Sequence, residues 1–456
     1  MWSTETTVDP ITTSRRNFLR FTAGAAGLAA TLAACGTSGP QSSGGSSGGA
    51  GSATYWFLTG QPQQAIREAQ VKRFNDANSG TQIKSTEFQN DAFKQKIKTA
   101  IGAAQGPTLI WGWGGGGLKS YVDAGQVEDL TDWMGQNAAL KSSIFPSAFG
   151  AATVNGKIYA MPVETTTPIV LYWNKSVFEK VGVQPPASWG DIMDLVPKFN
   201  AAGIAPFSLG GQSRWTNMMW LEFLFDRIGG SEVFQNIFDG KANGWSDPSA
   251  IQALTEMQNL IKANGFIKGF SSITADSNAD QALLYTGKAA MMLHGAWTYG
   301  SMKADGGDFV TGGHLGYMNF PPVDGGKGDP SDTVGNPGQY LSISSKATDQ
   351  DKDTAKKFLS TSTLDDASVD AWVKSGSIPV VTTAKAKLAS VTDKNDAAWL
   401  NFVYDTSANA KTFAQSWDQA LSPTAAETLL DNIAKLFQLS ISPQQFASSM
   451  NAVIGK

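Results

Sequence analysis

The chain has 456 residues, of which 35 are Lys or Arg and 39 are Asp or Glu, giving a formal net charge of -4. Ordinary domains hold roughly 100 to 200 residues, so this length predicts two large lobes. The mildly acidic balance, without a basic stripe, excludes a nucleic-acid binder. One cysteine excludes a disulfide framework, and two histidines leave few residues for catalytic triads or metal sites, so we expect no metal and no cofactor.

The first 34 residues carry the features of an export signal. Arg15 and Arg16 lie in a segment that resembles the twin-arginine export signal, and an apolar run over 21–34 follows directly. A membrane-spanning helix needs about 20 apolar residues, so this shorter run favours a cleaved signal peptide over a permanent anchor. The alternative is an apolar N-terminal helix that has no role in export.

The apolar run ends in Leu32-Ala33-Ala34-Cys35, which resembles the lipobox of bacterial lipoproteins. In such proteins the signal is cut before the cysteine, and the thiol receives a diacylglycerol. Residues 36–53 are almost all Gly, Ser, Thr, Ala, Pro and Gln, a composition typical of a flexible tether. We therefore expect a signal peptide over 1–34 and a lipidated Cys35 with its linker over 35–53, which places the folded part at the outer face of the cell membrane.

Strand and helix patterns alternate from the start of the folded part. Residues 55–58 form a short apolar run, Pro62 can open a helix, and 81–88 is a weak strand pattern. Asp91 can cap a second, clearly amphipathic helix, and 109–111 is a buried strand. This alternation predicts an α/β domain with a mainly parallel sheet.

A second unit of the same class begins near Glu164. The segment 168–173 is apolar and strand-like, and a helix that contains 192–199 precedes the strand pattern at 205–209. Ser442-Pro443 opens a last helix near the end of the chain. The two units agree with the two lobes expected from the chain length.

Six short segments together resemble the maltose-binding-like family of extracellular solute-binding proteins, the sugar receptors of ABC importers. They are Phe74-Asn75, Val154-Asn155-Gly156-Lys157-Ile158-Tyr159-Ala160-Met161-Pro162, Leu171-Tyr172-Trp173-Asn174-Lys175, Gly287-Lys288-Ala289-Ala290-Met291, His294-Gly295-Ala296-Trp297 and Gly376-Ser377-Ile378-Pro379-Val380. The resemblance extends over about the whole mature chain, and it rests on the order of the segments. One departure is Pro107-Thr108, where many relatives have Pro-Asp.

The resemblance implies a two-lobed α/β fold of the periplasmic-binding-protein type II class, with a ligand cleft between lobes that close by hinge bending. By analogy, the first lobe covers 54–163 and 340–392, and the second covers 164–339 and 393–456. The family also implies an oligosaccharide ligand, permease subunits of an ABC importer as partners, attachment to the membrane through the lipid, a monomer, and no enzymatic activity.

Sugar sites combine aromatic plates, which meet the C–H faces of the rings, with polar side chains around the rim. Most tryptophans are core residues, but ligands of open α/β sheets lie beyond the carboxyl ends of the strands. Trp111 and Trp113 follow the third strand, and Trp297 follows the strand at 290–293. These three are therefore the leading ligand-binding candidates, with Trp297 first.

Six further residues are candidates for the same cleft. Trp215 and Arg214 lie in a polar loop after a strand, and a guanidinium can donate two hydrogen bonds to vicinal hydroxyls. A surface salt bridge is an equally good interpretation of the role of Arg214. By resemblance, Glu164 and Gln339 lie in the crossovers, and Trp372 and Trp417 match positions where relatives carry aromatics near the cleft. Capping and helix packing are the structural alternatives for these four.

Two other functions stay open at this point. Carboxylates are plentiful, so an exported glycoside hydrolase is the main alternative. The segment 112–117 fits G-x-G-x-x-G, but it follows the third strand instead of the first, which makes a dinucleotide-binding oxidoreductase the weaker one. The sequence does not fix the sugar: the loops most resemble receptors for xylo-oligosaccharides, and gluco- and chito-oligosaccharides remain open.

Overall fold

The computed structural model of the protein describes residues 51–456. The predictions for Arg15, Arg16 and Cys35, and most of the predicted linker, lie outside these residues. Within the described part, the helices are too short or too polar for any of them to cross a bilayer.

Fourteen strands are distributed along residues 51–456. They are β1 Gly51–Leu58, β2 Thr81–Phe88, β3 Leu109–Gly112, β4 Thr153–Val154, β5 Lys157–Ile158, β6 Met161–Pro162, β7 Thr165–Asn174, β8 Ala205–Ser208, β9 Ala289–Gly295, β10 Leu315–Met318, β11 Thr333–Asn336, β12 Tyr340–Ile343, β13 Ile378–Pro379 and β14 Phe413–Gln415.

In the same part of the chain, nineteen α-helices connect and cover these strands. They are α1 Gln63–Ala77, α2 Asn90–Gly102, α3 Gly115–Asp123, α4 Thr131–Gln136, α5 Ala138–Ser143, α6 Lys175–Val181, α7 Trp189–Ala201, α8 Trp215–Gly229, α9 Glu232–Phe238, α10 Pro248–Lys262, α11 Ala279–Tyr285, α12 Thr298–Asp305, α13 Asp349–Ser362, α14 Asp366–Lys374, α15 Ala384–Leu388, α16 Lys394–Ala408, α17 Trp417–Ala420, α18 Pro423–Phe437 and α19 Pro443–Asn451.

The first lobe is built on a five-stranded sheet of order β2-β1-β3-β12-β6. Strands β2, β1 and β3 are parallel, whereas β12 runs antiparallel to both β3 and β6. Alternate residues of β1, Tyr55 and Phe57, enter the core, where the ring centroid of Tyr55 lies 5.9 Å from that of Phe358 of α13. The predicted α/β unit is therefore confirmed, with one antiparallel strand, β12, added by the returning chain.

The second lobe is built on a sheet of order β14-β11-β7-β9-β8, to which β10 and β13 add further pairs with β7. Strand β7 is buried on both faces, and neighbouring residues point to opposite sides. Ile169 and Leu171 join one hydrophobic core, and Val170 and Tyr172 join another. The long apolar segment predicted at 168–173 is thus the central strand of this lobe.

The chain passes between the two sheets more than once. It leaves the first sheet after β6 and enters the second at β7, then returns between β11 and β12. It crosses again before β13, which pairs with the start of β7. Val373 and Leu388, from the span that the sequence assigns to the first lobe, pack in the same core as Tyr172 of the second sheet.

Local sequence signals set several helix ends. The predicted last helix begins at Pro443 behind a capping box formed by Ser442 and Gln445. The prediction for Asp91 was wrong, because α2 begins one residue earlier, at Asn90, and has no side-chain cap of its own. Asp276 of the second lobe supplies the missing acceptor for this helix end.

Candidate ligand-binding cleft

A cavity of about 220 Å³ lies between the two lobes. The segments that follow β1, β3 and β9 line it, together with the start of β7 and the segment between β11 and β12. It therefore lies beyond the carboxyl ends of strands from both sheets, where α/β proteins hold their ligands. Of the nine ligand-binding residues predicted from the sequence, seven line it: Trp111, Trp113, Glu164, Trp215, Trp297, Gln339 and Trp372.

Four tryptophans form two aromatic pairs in the cavity wall. In the first lobe, the ring centroids of Trp111 and Trp113 lie 4.7 Å apart with the planes at 77°. In the second lobe, those of Trp215 and Trp297 lie 6.1 Å apart at 49°. Trp113, Trp215 and Trp297 keep part of their surface accessible, whereas Trp111 is buried. The two lobes thus present aromatic faces to the same space.

Glycine before Trp297 allows its indole to fold back against the end of β9. A Cβ atom at Gly295 would lie 1.8 Å from a ring carbon of Trp297. Any side chain there would push the ring away from its position. The small residues ahead of Trp297, which drew attention in the sequence, are therefore needed to place this indole in the cavity wall.

A buried ion pair lies at the first crossover. Arg67 of α1 donates two hydrogen bonds of 2.7 Å to the two carboxylate oxygens of Glu164, and both side chains are at most 5% exposed. The indole N–H of Trp111 donates to Glu164 Oε1 at 2.8 Å. Although burial alone would lower the pKa of Arg67, the carboxylate raises it above its ordinary value. Both carboxylate oxygens of Glu164 thus accept hydrogen bonds within the protein.

Arg67 was missed in the sequence, although its spacing held a signal. It shares one face of α1 with Val71 and Phe74, four and seven residues later, and so it points inward with them. Its guanidinium lies 5.2 Å from the ring centroid of Trp111 and 5.9 Å from that of Trp372. A charge placed on an apolar helix face indicates a buried partner, but the sequence alone does not name it.

Gln339 connects the two crossovers. Its side-chain oxygen accepts from the backbone N–H and the hydroxyl of Thr165, at 3.1 and 3.2 Å. Its amide nitrogen donates to the hydroxyl of Thr167 at 3.3 Å. Much of the hydrogen-bonding capacity of Gln339 therefore goes to holding β7 beside the returning chain.

Polar contacts join the lobes directly across the cavity. Asp276 of the second lobe accepts from the backbone N–H of Asp91 at 3.1 Å, in the first turn of α2. Asp91 in turn accepts from the indole N–H of Trp215 at 3.2 Å. Lys94 pairs with Asp418 at 2.8 Å. Burial raises the pKa of Asp276, and the hydrogen bond from Asp91 partly offsets this effect. The structure therefore shows the lobes in contact.

Four residues that line the cavity each have a buried polar atom without a hydrogen-bond partner among the described residues. These atoms are Thr59 Oγ1, His294 Nε2, Asn336 Oδ1 and Trp372 Nε1. His294 Nε2 lies 3.3 Å from Asp280 Oδ2, but the pair is not aligned as a hydrogen bond. An unpaired buried polar group costs about 1 to 3 kcal/mol, so a hydrogen bond from a ligand to any of these atoms would be favourable.

The remaining two predicted residues lie elsewhere. Trp417 is buried in the core of the second lobe, stacked on Phe234 at 4.5 Å and 9° and packed against Phe225 and Trp245. Arg214 pairs with Glu427 at 3.0 Å and with Asp431 at 2.5 Å, both on α18. Neither residue lines this cavity, although Arg214 lines a second cavity beside it. The structural alternatives, helix packing and a salt bridge, describe what these side chains do here.

Comparisons with known proteins agree with this geometry. The family profile of bacterial extracellular solute-binding proteins matches residues 59–369. A probable sugar-binding periplasmic protein of Mesorhizobium japonicum is 26% identical over 72% of this chain and 75% of its own length. An uncharacterized ABC transporter extracellular-binding protein of Pyrococcus horikoshii is 23% identical over 55% of this chain, and the match spans only 56% of that relative.

Among solved structures, one comes from work on xylan utilization by the thermophilic bacterium Caldanaerobius polysaccharolyticus. It is 29% identical, covers 89% of this chain and 100% of its own, and superposes with a TM-score of 0.79. The predicted two-lobed α/β fold is confirmed by this similarity and by the two sheets described above. With a profile match over most of its length and a cavity between two α/β lobes, this chain belongs to the family of bacterial extracellular solute-binding proteins.

Proposed function

We propose that this protein binds an oligosaccharide in the cavity between its lobes and delivers it to the permease subunits of an ABC importer. The observation that carries the proposal is the lining of the cavity, where aromatic faces lie beside four buried, unpaired polar atoms. Sugars offer both kinds of partner, because each ring has apolar C–H faces and a rim of hydroxyls. The crossover segments around Glu164 and Gln339 would form the hinge between the proposed lobes, 54–163 with 340–392 and 164–339 with 393–456.

The polar atoms suit hydroxyl groups in particular. Trp372 Nε1 can only donate and Asn336 Oδ1 can only accept, whereas the hydroxyl of Thr59 can do both. A sugar hydroxyl also donates and accepts, so one ligand can satisfy all of them. An apolar ligand would leave these atoms unpaired, and a simple anion would meet only the donors.

Members of this family bind solutes without turning them over, so the chain is a receptor and not an enzyme. The carboxylates that line the cavity support this assignment. Glu164 is paired with Arg67, Asp418 with Lys94, and Asp276 accepts a backbone N–H. A glycoside hydrolase needs one carboxyl group free to donate a proton and another free to act on the sugar or on water.

Xylo-oligosaccharides are the sugars we propose first. The similarity to the structure from the work on xylan utilization supports this choice at 29% identity. The sequence match to a probable sugar-binding periplasmic protein supports sugars in general, and the match to an ABC transporter binding protein supports an importer as the partner.

Proteins of this family act outside the cytoplasm. We further propose that this one leaves the cell through the twin-arginine route, guided by Arg15 and Arg16, and remains attached to the outer face of the membrane through a lipid on Cys35. The order of the three N-terminal signals in the sequence supports this proposal. A lipid anchor is also consistent with a receptor that works beside membrane-bound permeases and binds sugar as a monomer.

Titration calorimetry with sugar panels tests the proposed ligand. We expect stoichiometric binding of xylobiose or longer xylose oligomers, tighter than binding of glucose or N-acetylglucosamine oligomers of equal length. Chromatography of the same mixtures should detect no shortened sugar. Release of shorter sugars would indicate a hydrolase, and the absence of binding to all three series would contradict the proposal.

Replacing Trp297 with Ala tests the stacking role. Loss of a central aromatic contact commonly costs about 2 kcal/mol or more, roughly thirtyfold in affinity, so xylobiose binding should weaken by that factor. The matched control is Trp417→Ala, because this indole lies in the core and not in the cavity. It should lower the free energy of unfolding by about 3 to 5 kcal/mol and leave the affinity of the folded protein nearly unchanged. Wild-type affinity in Trp297→Ala would rule out stacking.

Replacing Cys35 with Ala tests the anchor. Without the thiol no diacylglycerol can be attached, so the protein should appear in the medium or accumulate with its signal uncut. Membrane and soluble fractions, probed by immunoblotting, distinguish these fates from that of the wild type. A variant that remains in the membrane fraction at the processed size would show that the lipid is not the anchor.

A further inference from the structure

A second, larger cavity adjoins the first. It has a volume of about 690 Å³ and lies between α2 and α3 of the first lobe and the starts of α8 and α18 of the second. Six residues line both cavities: Lys94, Trp111, Trp113, Trp215, Asp418 and Gln419. The two spaces therefore share a boundary, and we refer to them as the inner chamber, of about 220 Å³, and the outer chamber.

We propose that the outer chamber binds the additional units of an oligosaccharide whose first units occupy the inner chamber, so that the protein selects for longer chains. The inference rests on the proposed function. Ligand pockets typically measure about 300 to 1,000 Å³, a range that includes the outer chamber and exceeds the inner one. A ligand larger than a very small sugar therefore requires space from both.

The junction between the chambers has the chemistry of a sugar site. The ammonium of Lys94 lies 4.9 Å from the ring centroid of Trp113 and 5.9 Å from that of Trp215. Its partner Asp418 is only 6% exposed, and the pair crosses from one lobe to the other. A ring that passes this point meets two partly exposed indoles and a pair of opposite charges that can donate to and accept from its hydroxyls.

Beyond the junction, one face of α2 continues along the outer chamber. Asp91, Lys94, Gln95 and Lys98 all line it and recur at helical spacing. On the opposite side, Gln212 and Glu427 contribute polar groups from the second lobe. The rest of the wall is largely apolar and includes Phe93, Ile97, Ile110, Leu118 and Leu430. The outer chamber thus combines apolar surface with polar side chains, the two kinds of partner that sugar rings use.

A bulky label at Lys98 tests the assignment. Lys98 is exposed and lines only the outer chamber, whereas Lys96, on the same helix, is exposed but lines neither and extends over Trp56 and Phe88. Because the chain has one cysteine, Lys98→Cys and Lys96→Cys in a Cys35→Ser background can each be labelled with a polyethylene glycol maleimide. Calorimetry with xylobiose, xylotriose and xylotetraose then measures affinity before and after labelling.

The wild type should bind xylotetraose about tenfold more tightly than xylobiose, the gain expected from one additional stacked ring. The label on Lys98→Cys should abolish this gain and leave xylobiose affinity unchanged, and the label on Lys96→Cys should change neither. Equal affinity of the wild type for all three lengths, or an intact gain in labelled Lys98→Cys, would overturn the inference while the proposed function stands. The absence of binding to every sugar of the panels would overturn both.

Discussion

The buried pair of Arg67 and Glu164 is the interaction on which the cleft depends. Two charges taken out of water need each other, and removing one partner of such a pair commonly costs about 3 to 5 kcal/mol. Here the pair joins α1 to the crossover between β6 and β7, and Glu164 also accepts from the indole of Trp111. One carboxylate therefore fixes the start of the central strand of the second lobe against the wall of the first.

Strand β7 transmits this constraint to the second lobe. Its residues alternate between two hydrophobic cores, so the strand cannot shift by one residue without exchanging the two faces. The register of the pairing between β7 and β9 sets where β9 ends relative to β7. Trp297 follows that end by two residues. The position of the Trp297 indole beside the cavity is thus determined by the crossover as well as by its own loop.

Contacts across the cleft differ in kind from those at the crossover. Asp276 accepts an N–H from an otherwise uncapped helix end. Lys94 pairs with Asp418, and these side chains are 22% and 6% exposed, against 5% and 3% for Arg67 and Glu164. Closure around a ligand by bending at the crossovers would form or break these interlobe contacts.

The sequence predicted the α/β alternation and the strand-end tryptophans because both leave local signals. Trp297 follows a strand and two small residues, and it lines the cavity. Trp417 could not be separated from such cases, because its burial depends on Phe225, Phe234 and Trp245, which are distant in sequence.

Residues whose role in the cleft depends on contacts with distant parts of the chain could not be predicted from local sequence signals. Arg67 and Asn336 carry no motif, and their roles follow from the packing of the crossovers around them. The sequence supported two interpretations of Arg214 equally well, a ligand contact and a surface salt bridge. Only the position of α18, which carries Glu427 and Asp431, distinguishes them.

A crystal structure of the protein with xylotetraose tests the central claim most directly. We expect sugar rings between the lobes, with one ring packed on the indole of Trp297. Hydroxyls of the sugar should lie within hydrogen-bond distance of Asn336 Oδ1 and Trp372 Nε1. Sugar bound at another surface, with these two atoms still unpaired, would contradict it.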